Sequence, residues 1–321
     1  QYVGTEAMKN FCITAVTTDS RSVEEGSLFV AIPGERVDGH SYIKKAVQAG
    51  AAAVLSEREL PETSFPYIRV ESSLQAVKDL AEFYLEGLSI PVVGIAGSVG
   101  KTSTKEMTAS VLEQKYRVLK TEGNFNNELG LPLTIFRLRE EAQMAVLEMG
   151  ISDFGEMQRL SKIARPETCI LTNIGWCHLE NLKTRDGILK AKSEIFDFMR
   201  PEGHIILNGD DDKLSAIHEV RGIRPRTYGL NSSNDVWADE LEPLGLQGTS
   251  CRIHTPEGSF HVRIPKPGEH MVYNGLAAAS AGLYYGLTLE EIRAGLESYE
   301  TISGRFRILE TGKYTLIDDC Y

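Results

Sequence analysis

Pro91-Val-Val-Gly-Ile-Ala-Gly-Ser-Val-Gly-Lys-Thr-Ser103 reads as a short apolar strand, a glycine turn and the opening of a helix. The two glycines of the turn let backbone N–H groups point inward around phosphate oxygens. The helix N-terminus adds positive potential, Lys101 can reach the outer phosphates, and Thr102 offers a hydroxyl to Mg²⁺. Gly97, Ser98, Val99, Gly100, Lys101, Thr102 and Ser103 are therefore the expected nucleoside triphosphate loop. The strict G-x-x-x-x-G-K-[ST] pattern is not met, because Ile95 holds its first glycine position. The bare turn would say little; its place between a strand and a helix carries the reading.

Outward from this stretch, further βα units follow. Ala145-Val-Leu-Glu-Met149, Cys169-Ile-Leu-Thr-Asn173 and His204-Ile-Ile-Leu-Asn208 read as strands of a mainly parallel α/β sheet, which binds ligands at its C-terminal strand ends. Residues 236–264 look antiparallel, and a small-residue helix runs from Asn274. Upstream, strand-like Ser27–Ile32 and Ala51–Leu55 alternate with helical Tyr42–Ala49 and Leu74–Leu85, up to a break at Ile90-Pro91. The fold class expected is α/β: a small N-terminal substrate domain over 1–89 and a phosphate-loop ATPase domain over 90–312. Residues 313–321 read as the start of another domain.

Of 321 residues, 42% are hydrophobic and 25% charged, and 34 basic against 45 acidic side chains leave a net charge of −11. A globular protein fits; a general binder of nucleic acid or anionic membrane does not. Five scattered cysteines without a C-x-x-C pair argue against a disulfide framework or a structural zinc and for a reducing cytoplasm. No apolar run is long enough to span a bilayer. A cytoplasmic monomer is the expectation.

Three side chains invite chemistry. Glu148 ends an apolar strand, where it either faces solvent or holds Mg²⁺ beside the phosphate loop. His178 lies in the loop after the Cys169–Asn173 strand and is structural or a ligand. In the helix from Gly187 to Met199, Lys192 falls on the stripe of Ile188, Leu189, Ile195 and Phe196, whereas Lys190 can pair with Glu194 on the wet side. A lysine on such a stripe either snorkels outward or is neutral, and a neutral amine reacts with CO₂ to form a carbamate.

Taken together these pieces resemble the Mur ligases, the ATP-dependent amide-bond ligases of peptidoglycan synthesis. The resemblance is carried by Thr18-Asp-Ser-Arg21, Gly26-Ser-Leu-Phe29, Gly34 to His40, Gly97 to Ser103, Gly123-Asn-Phe-Asn-Asn-Glu-Leu-Gly-Leu-Pro132, Glu148-Met-Gly150, His178-Leu-Glu180, Ala191-Lys-Ser-Glu-Ile195, Asn274, Gly304-Arg305 and Asp318-Asp319. It implies that Lys101 holds ATP phosphates, that Thr102 and Glu148 bind one Mg²⁺, and that His178 and a carbamylated Lys192 serve a second. It further implies adenine contact by Asn274, phosphate contact by Arg305, ribose contact by Asp319, and substrate contact by Ser20, Arg21, Asn126 and Asn127. The substrates implied are UDP-N-acetylmuramoyl-tripeptide and D-alanyl-D-alanine, joined through an acyl phosphate. Val99 and Met271 depart from the family's usual asparagines.

A MurE-type or folylpolyglutamate-type ligase would share the ATPase core, though the first ~88 residues speak against the folate enzyme. A nucleotide switch without chemistry would need fewer of these groups. The resemblance places a third, dipeptide-binding domain after Asp318-Asp319. The sequence thus predicts that residues 1–321 bind the UDP-linked substrate, bind ATP weakly and do not complete ligation.

Overall fold

The structure is a computed structural model that describes residues 2–4, 12–34, 37–61, 64–300 and 307–318. Contacts divide the chain into two units, Gln1–Ser89 with Glu128–Leu138 and Ile90–Asn127 with Arg139–Tyr321.

The first unit holds β1 (Tyr2–Val3), β2 (Ala15–Thr17), β3 (Ser27–Ala31), β4 (Ala53–Ser56) and β5 (Tyr67–Arg69), with α1 (Ile43–Gln48) and α2 (Ser73–Leu88). Its sheet order is β1-β5-β4-β3-β2, parallel except where β1 meets β5. Alternation along β3 splits the core: Phe29 and Ala31 pack with Ile43 and Ala46 of α1, while Leu28 and Val30 pack with Val77 of α2. The Ser72 hydroxyl caps α2 by accepting from the Gln75 N–H at 3.2 Å.

The second unit runs through β6 (Val92–Ala96), α3 (Lys101–Leu112) and β7 (Val118–Lys120). The chain then adds α4 (Gly130–Ile135) to the first unit before β8 (Met144–Glu148). Next come α5 (Glu156–Ala164), β9 (Thr168–Leu171), α6 (Leu179–Leu182), α7 (Arg185–Ser193), β10 (His204–Asn208) and β11 (Arg226–Gly229). The rest is β12 (Val236–Pro243), β13 (Thr249–Thr255), β14 (Gly258–Ile264), α8 (Glu269–Tyr284), α9 (Leu289–Glu297), β15 (Arg307–Glu310) and β16 (Thr315–Asp318).

Among the described residues its large sheet has the order β14-β13-β12-β11-β10-β9-β6-β8-β7, parallel from β7 to β12 and antiparallel beyond. Strands β6, β8 and β9 are buried on both faces, as their unbroken apolar runs require. Strand β13 alternates, with one face covered. The covering helix α8 is buried over most of its length, and its Leu276 and Ala278 join Met107 and Val111 of α3 and Val93 and Ile95 of β6 in one core.

Two expected boundaries change. Residues 128–138 were assigned to the ATPase domain, but they belong with the first unit: Leu129 and Phe136 pack on its core, Lys78 Nζ pairs with Glu128 at 3.0 Å, and the Tyr84 hydroxyl donates to the Leu138 carbonyl at 2.6 Å. The boundary set at 312/313 falls in the turn between β15 and β16, which pair antiparallel within the second unit. No helix among the described residues is long and apolar enough to cross a membrane.

Candidate active site

Strand β6 lies between β8 and β9, so the C-terminal ends of three neighbouring parallel strands meet where the strand order reverses. The phosphate loop leaves β6, Glu148 ends β8, and the loop carrying His178 leaves β9.

Gly97 has φ +152°, and a Cβ there would fall 1.9 Å from Thr172 Oγ1, so only glycine fits so close to the β9 tail. That tail clasps the loop. The Ser98 N–H donates to the Asn173 carbonyl at 3.0 Å, and the Val99 N–H to Asn173 Oδ1 at 3.1 Å. Asn173 Nδ2 and the Thr172 hydroxyl both donate to the Val99 carbonyl, at 3.1 and 2.6 Å. The Gly175 N–H and the Cys177 thiol both donate to Ser98 Oγ, at 2.9 and 3.2 Å. Val99 is thus held by its backbone while its side chain stays exposed, which explains why an apolar residue serves there. The head of a helix such as α3 offers backbone N–H groups that can meet phosphate oxygens. Lys101 Nζ folds back onto the carbonyls of Gly97 and Ser98 at 3.1 and 3.3 Å, and would exchange these for charged phosphate oxygens. Ser103 sits beside the buried phenol of Tyr299, whose pKa burial pushes up to about 12.

Asn274 reaches the same loop from α8. Its Oδ1 accepts from the Thr104 hydroxyl at 3.1 Å, close to Gly100, and its Nδ2 meets Met271 Sδ at 3.6 Å. The sulfur of Met271 is a weak acceptor that keeps the amide turned toward α3. The amide expected at adenine is already engaged in the packing of α8 on α3.

Glu148 is 2% exposed. Its N–H donates to the Thr121 hydroxyl at 3.0 Å, and its Oε1 accepts from Asn126 Nδ2 at 2.7 Å. Its Oε2 is buried with no hydrogen-bond partner. A buried carboxylate oxygen without a partner is costly, and a hard cation would satisfy it. Among the described residues no three His, Cys, Asp or Glu side chains gather as a metal cage. Mg²⁺ fits this shortage, because it is commonly held by one or two protein oxygens, water and substrate phosphates.

Lys192 lies on α7 with 1% exposure, and its side chain has no hydrogen bond or ion pair among the described residues. Burial first, then the like charge of Lys101, lowers its pKa to about 8. His178 heads α6 with φ +51°. It is exposed, yet desolvation and then the charges of Lys192 and Lys101 hold its pKa below the ordinary value. Lys101 and Lys192 therefore bring positive charge to one place, and with desolvation they favour the neutral form of the His178 ring beside them. Lys190 is exposed as expected, but it does not pair with Glu194: its amine lies 6.0 Å from the Phe154 ring centroid. The Glu194 carboxylate instead accepts from the N–H groups of Gly155 and Gln158 at the head of α5.

The first unit carries its own cavity of about 560 Å³, lined by Asp19, Ser20, Arg21, Tyr42, Lys45 and Leu129 among others. Ser20 is buried, whereas Arg21 projects into solvent and pairs with Asp19 at 2.7 Å. Asn127 is exposed at the last position before the chain joins the first unit. Arg305 and Asp319 lie outside the described residues. Sequence reasoning missed Asn173 and Thr121; a polar residue just past a strand end was the available signal for each, Asn173 meeting the phosphate loop and Thr121 the Glu148 N–H.

This arrangement has known counterparts. Residues 95–282 match the Mur ligase middle domain, and residues 12–85 match the Mur ligase family catalytic domain. The chain belongs to the Mur ligase family. A Bacillus subtilis relative, UDP-N-acetylmuramoyl-tripeptide–D-alanyl-D-alanine ligase, is 39% identical over 312 residues, covering 96% of this chain and 67% of its own length. The Escherichia coli ligase of the same name is 37% identical, with 69% of its length covered. Among solved Mur ligases, MurF from Acinetobacter baumannii superposes with a TM-score of 0.90 at 37% identity, over 96% of this chain and 68% of that one. MurF from Thermotoga maritima, in complex with ADP, gives 0.85 at 31% identity, over 99% and 72%. The chain thus spans about two thirds of the length of these Mur ligases.

Proposed function

We propose that this Mur ligase joins D-alanyl-D-alanine to UDP-N-acetylmuramoyl-tripeptide in the cytoplasm, at the cost of ATP. The observation that carries the reading is a phosphate loop and a buried carboxylate with a partnerless oxygen at adjacent strand ends, beside Lys101, His178 and the buried Lys192. The relatives' shared activity supports the choice of substrates.

The reaction needs two steps. A carboxylate oxygen of the tripeptide bonds to the γ-phosphorus of ATP as the bond to the β-γ bridging oxygen breaks, and ADP leaves. The dipeptide amine then attacks the acyl carbon, loses a proton, and phosphate departs as the amide forms. The chain's contribution is placement and charge. The head of α3 and Lys101 hold the phosphates. Thr102 and Glu148 would hold one Mg²⁺, which would supply charge neutralisation to the phosphates. His178 and Lys192 would face a second. A protonated lysine cannot ligate a cation; its neutral amine can add CO₂, forming an N–C bond and releasing one proton, and the resulting carbamate is anionic. The cavity of Ser20, Arg21 and Lys45 would take the UDP end.

Incubation with ATP, Mg²⁺ and both peptides should release ADP only when UDP-N-acetylmuramoyl-tripeptide is present. Lys101→Ala should stop that release with the circular dichroism spectrum unchanged. ADP release indifferent to the UDP-linked substrate would sink the reading. ¹³C-bicarbonate should give a carbamate resonance that Lys192→Ala removes.

A further inference from the structure

The Asn-Phe-Asn-Asn stretch suggests substrate contact, yet Asn126 faces a different way. Its Nδ2 donates to Glu148 Oε1 at 2.7 Å, and its backbone carbonyl accepts the Gly150 N–H at 2.8 Å. Only the amide nitrogen can donate to a carboxylate, so this contact fixes the orientation of the amide. Gly150 makes the room: a Cβ there would stand 3.0 Å from both Cγ and Nδ2 of Asn126. The Glu148 carboxylate is thereby held by one oxygen, and the other, Oε2, is left buried without a partner.

We infer that Asn126 is a positioning residue that binds one oxygen of Glu148 and so presents the other, Oε2, to the nucleotide's magnesium ion, with Gly150 supplying the space for its amide. The inference rests on the reading of Glu148 as a magnesium ligand. An amide donor locks the carboxylate plane and leaves a single oxygen for the metal. Such outer partners of a metal ligand are worth about ten- to a hundredfold in metal affinity.

The test is Mn²⁺ binding, followed by electron paramagnetic resonance, to the protein with a non-hydrolysable ATP analogue. Asn126→Ala should weaken Mn²⁺ about ten- to a hundredfold and raise the Mg²⁺ concentration for half-maximal turnover. Affinity and KM for UDP-N-acetylmuramoyl-tripeptide should stay unchanged. Gly150→Ala, which keeps the asparagine but pushes its amide away, should give the same loss. Full Mn²⁺ affinity in both variants while Glu148→Gln loses it would overturn the role of Asn126 alone. Full affinity in Glu148→Gln would overturn the reading of Glu148 as well. Weaker binding of the UDP-linked substrate in Asn126→Ala, alone or with the metal, would make Asn126 a substrate contact and overturn the inference.

Discussion

Lys105 on α3 and Lys192 on α7 are both shut away from water, at 0% and 1% exposure, and they are equipped in opposite ways. Lys105 Nζ pairs with Glu106 Oε1 at 2.7 Å and donates to the Thr121 carbonyl at 2.5 Å, while Lys120 holds the other oxygen of Glu106 at 2.7 Å. Lys192 has no such partner, and its pKa falls to about 8. Burial alone thus does not mark a reactive lysine. A paired buried charge is architecture; an unpaired one is held ready for a reagent or ligand that arrives later.

The contrast breaks most visibly in activity. Lys192→Ala should lower kcat by about 10²–10³-fold, the scale of removing one electrostatic contact to a developing charge, with little change in melting temperature. Acetate or another short carboxylate should restore part of the rate. Near-normal turnover in this variant would place Lys192 with Lys105 as a structural lysine.

Lys105→Met should do the reverse. It leaves Glu106, 7% exposed, with Lys120 alone, and should cost about 3 kcal/mol of stability, the low end for a broken buried pair. Activity per folded molecule should change little. Denaturant unfolding beside active-site titration separates the two, and a stable but inactive variant would contradict the assignment.

How much of this was open to sequence reasoning differs between the two lysines. Lys192 was legible because α7 has one wet face, and Lys190 shows where that face lies. Lys105 was not, because α3 carries Thr104, Lys105, Glu106 and Thr108, all of them buried. A polar helix looks solvated until α8 and α9 pack over it, as Asn274 does on Thr104 across 170 positions and Gly295 on Ser110 across 185. The phosphate loop and the strand ends were legible because parallel strands buried on both faces leave continuous apolar runs. The place of residues 128–138 was not, since its marks are long-range: Lys78 meets Glu128 across 50 positions and Tyr84 meets Leu138 across 54. Glu194 escapes sequence reasoning because helical spacing offers Lys190 as its partner, whereas its carboxylate accepts from N–H donors at the head of α5.

Thr121 joins the two kinds of site, and it sharpens the contrast with a smaller effect. Its carbonyl takes Lys105 and its hydroxyl takes the Glu148 N–H. Thr121→Val keeps the shape and the carbonyl but strands a buried N–H, at a cost of about 1–2 kcal/mol. The Mg²⁺ concentration for half-maximal turnover should rise modestly, since the carboxylate's backbone has lost an anchor. A loss of stability with an unmoved Mg²⁺ requirement would confine Thr121 to the architectural side.

The smallest effect belongs to a charge pair that burial hardly touches. Asp19 has a pKa lowered to about 2, first by the side-chain hydrogen bond from Arg21 and then by the Arg21 N–H. A depressed carboxylate stabilises the folded state above its unfolded pKa of 3.8 and loses that contribution as pH falls from 3.8 toward 2. Asp19 is 40% exposed and Arg21 79%, so solvent screening leaves at most about 1 kcal/mol. Denaturant unfolding of Asp19→Asn beside the parent chain should therefore show a small gap at pH 5 that closes by about pH 2. A gap that stayed constant across that window would mean that Asp19 acts through its hydrogen bonds to the turn and not through its charge. The buried lysines would then stand as the sites where charge, rather than geometry, decides what a residue does.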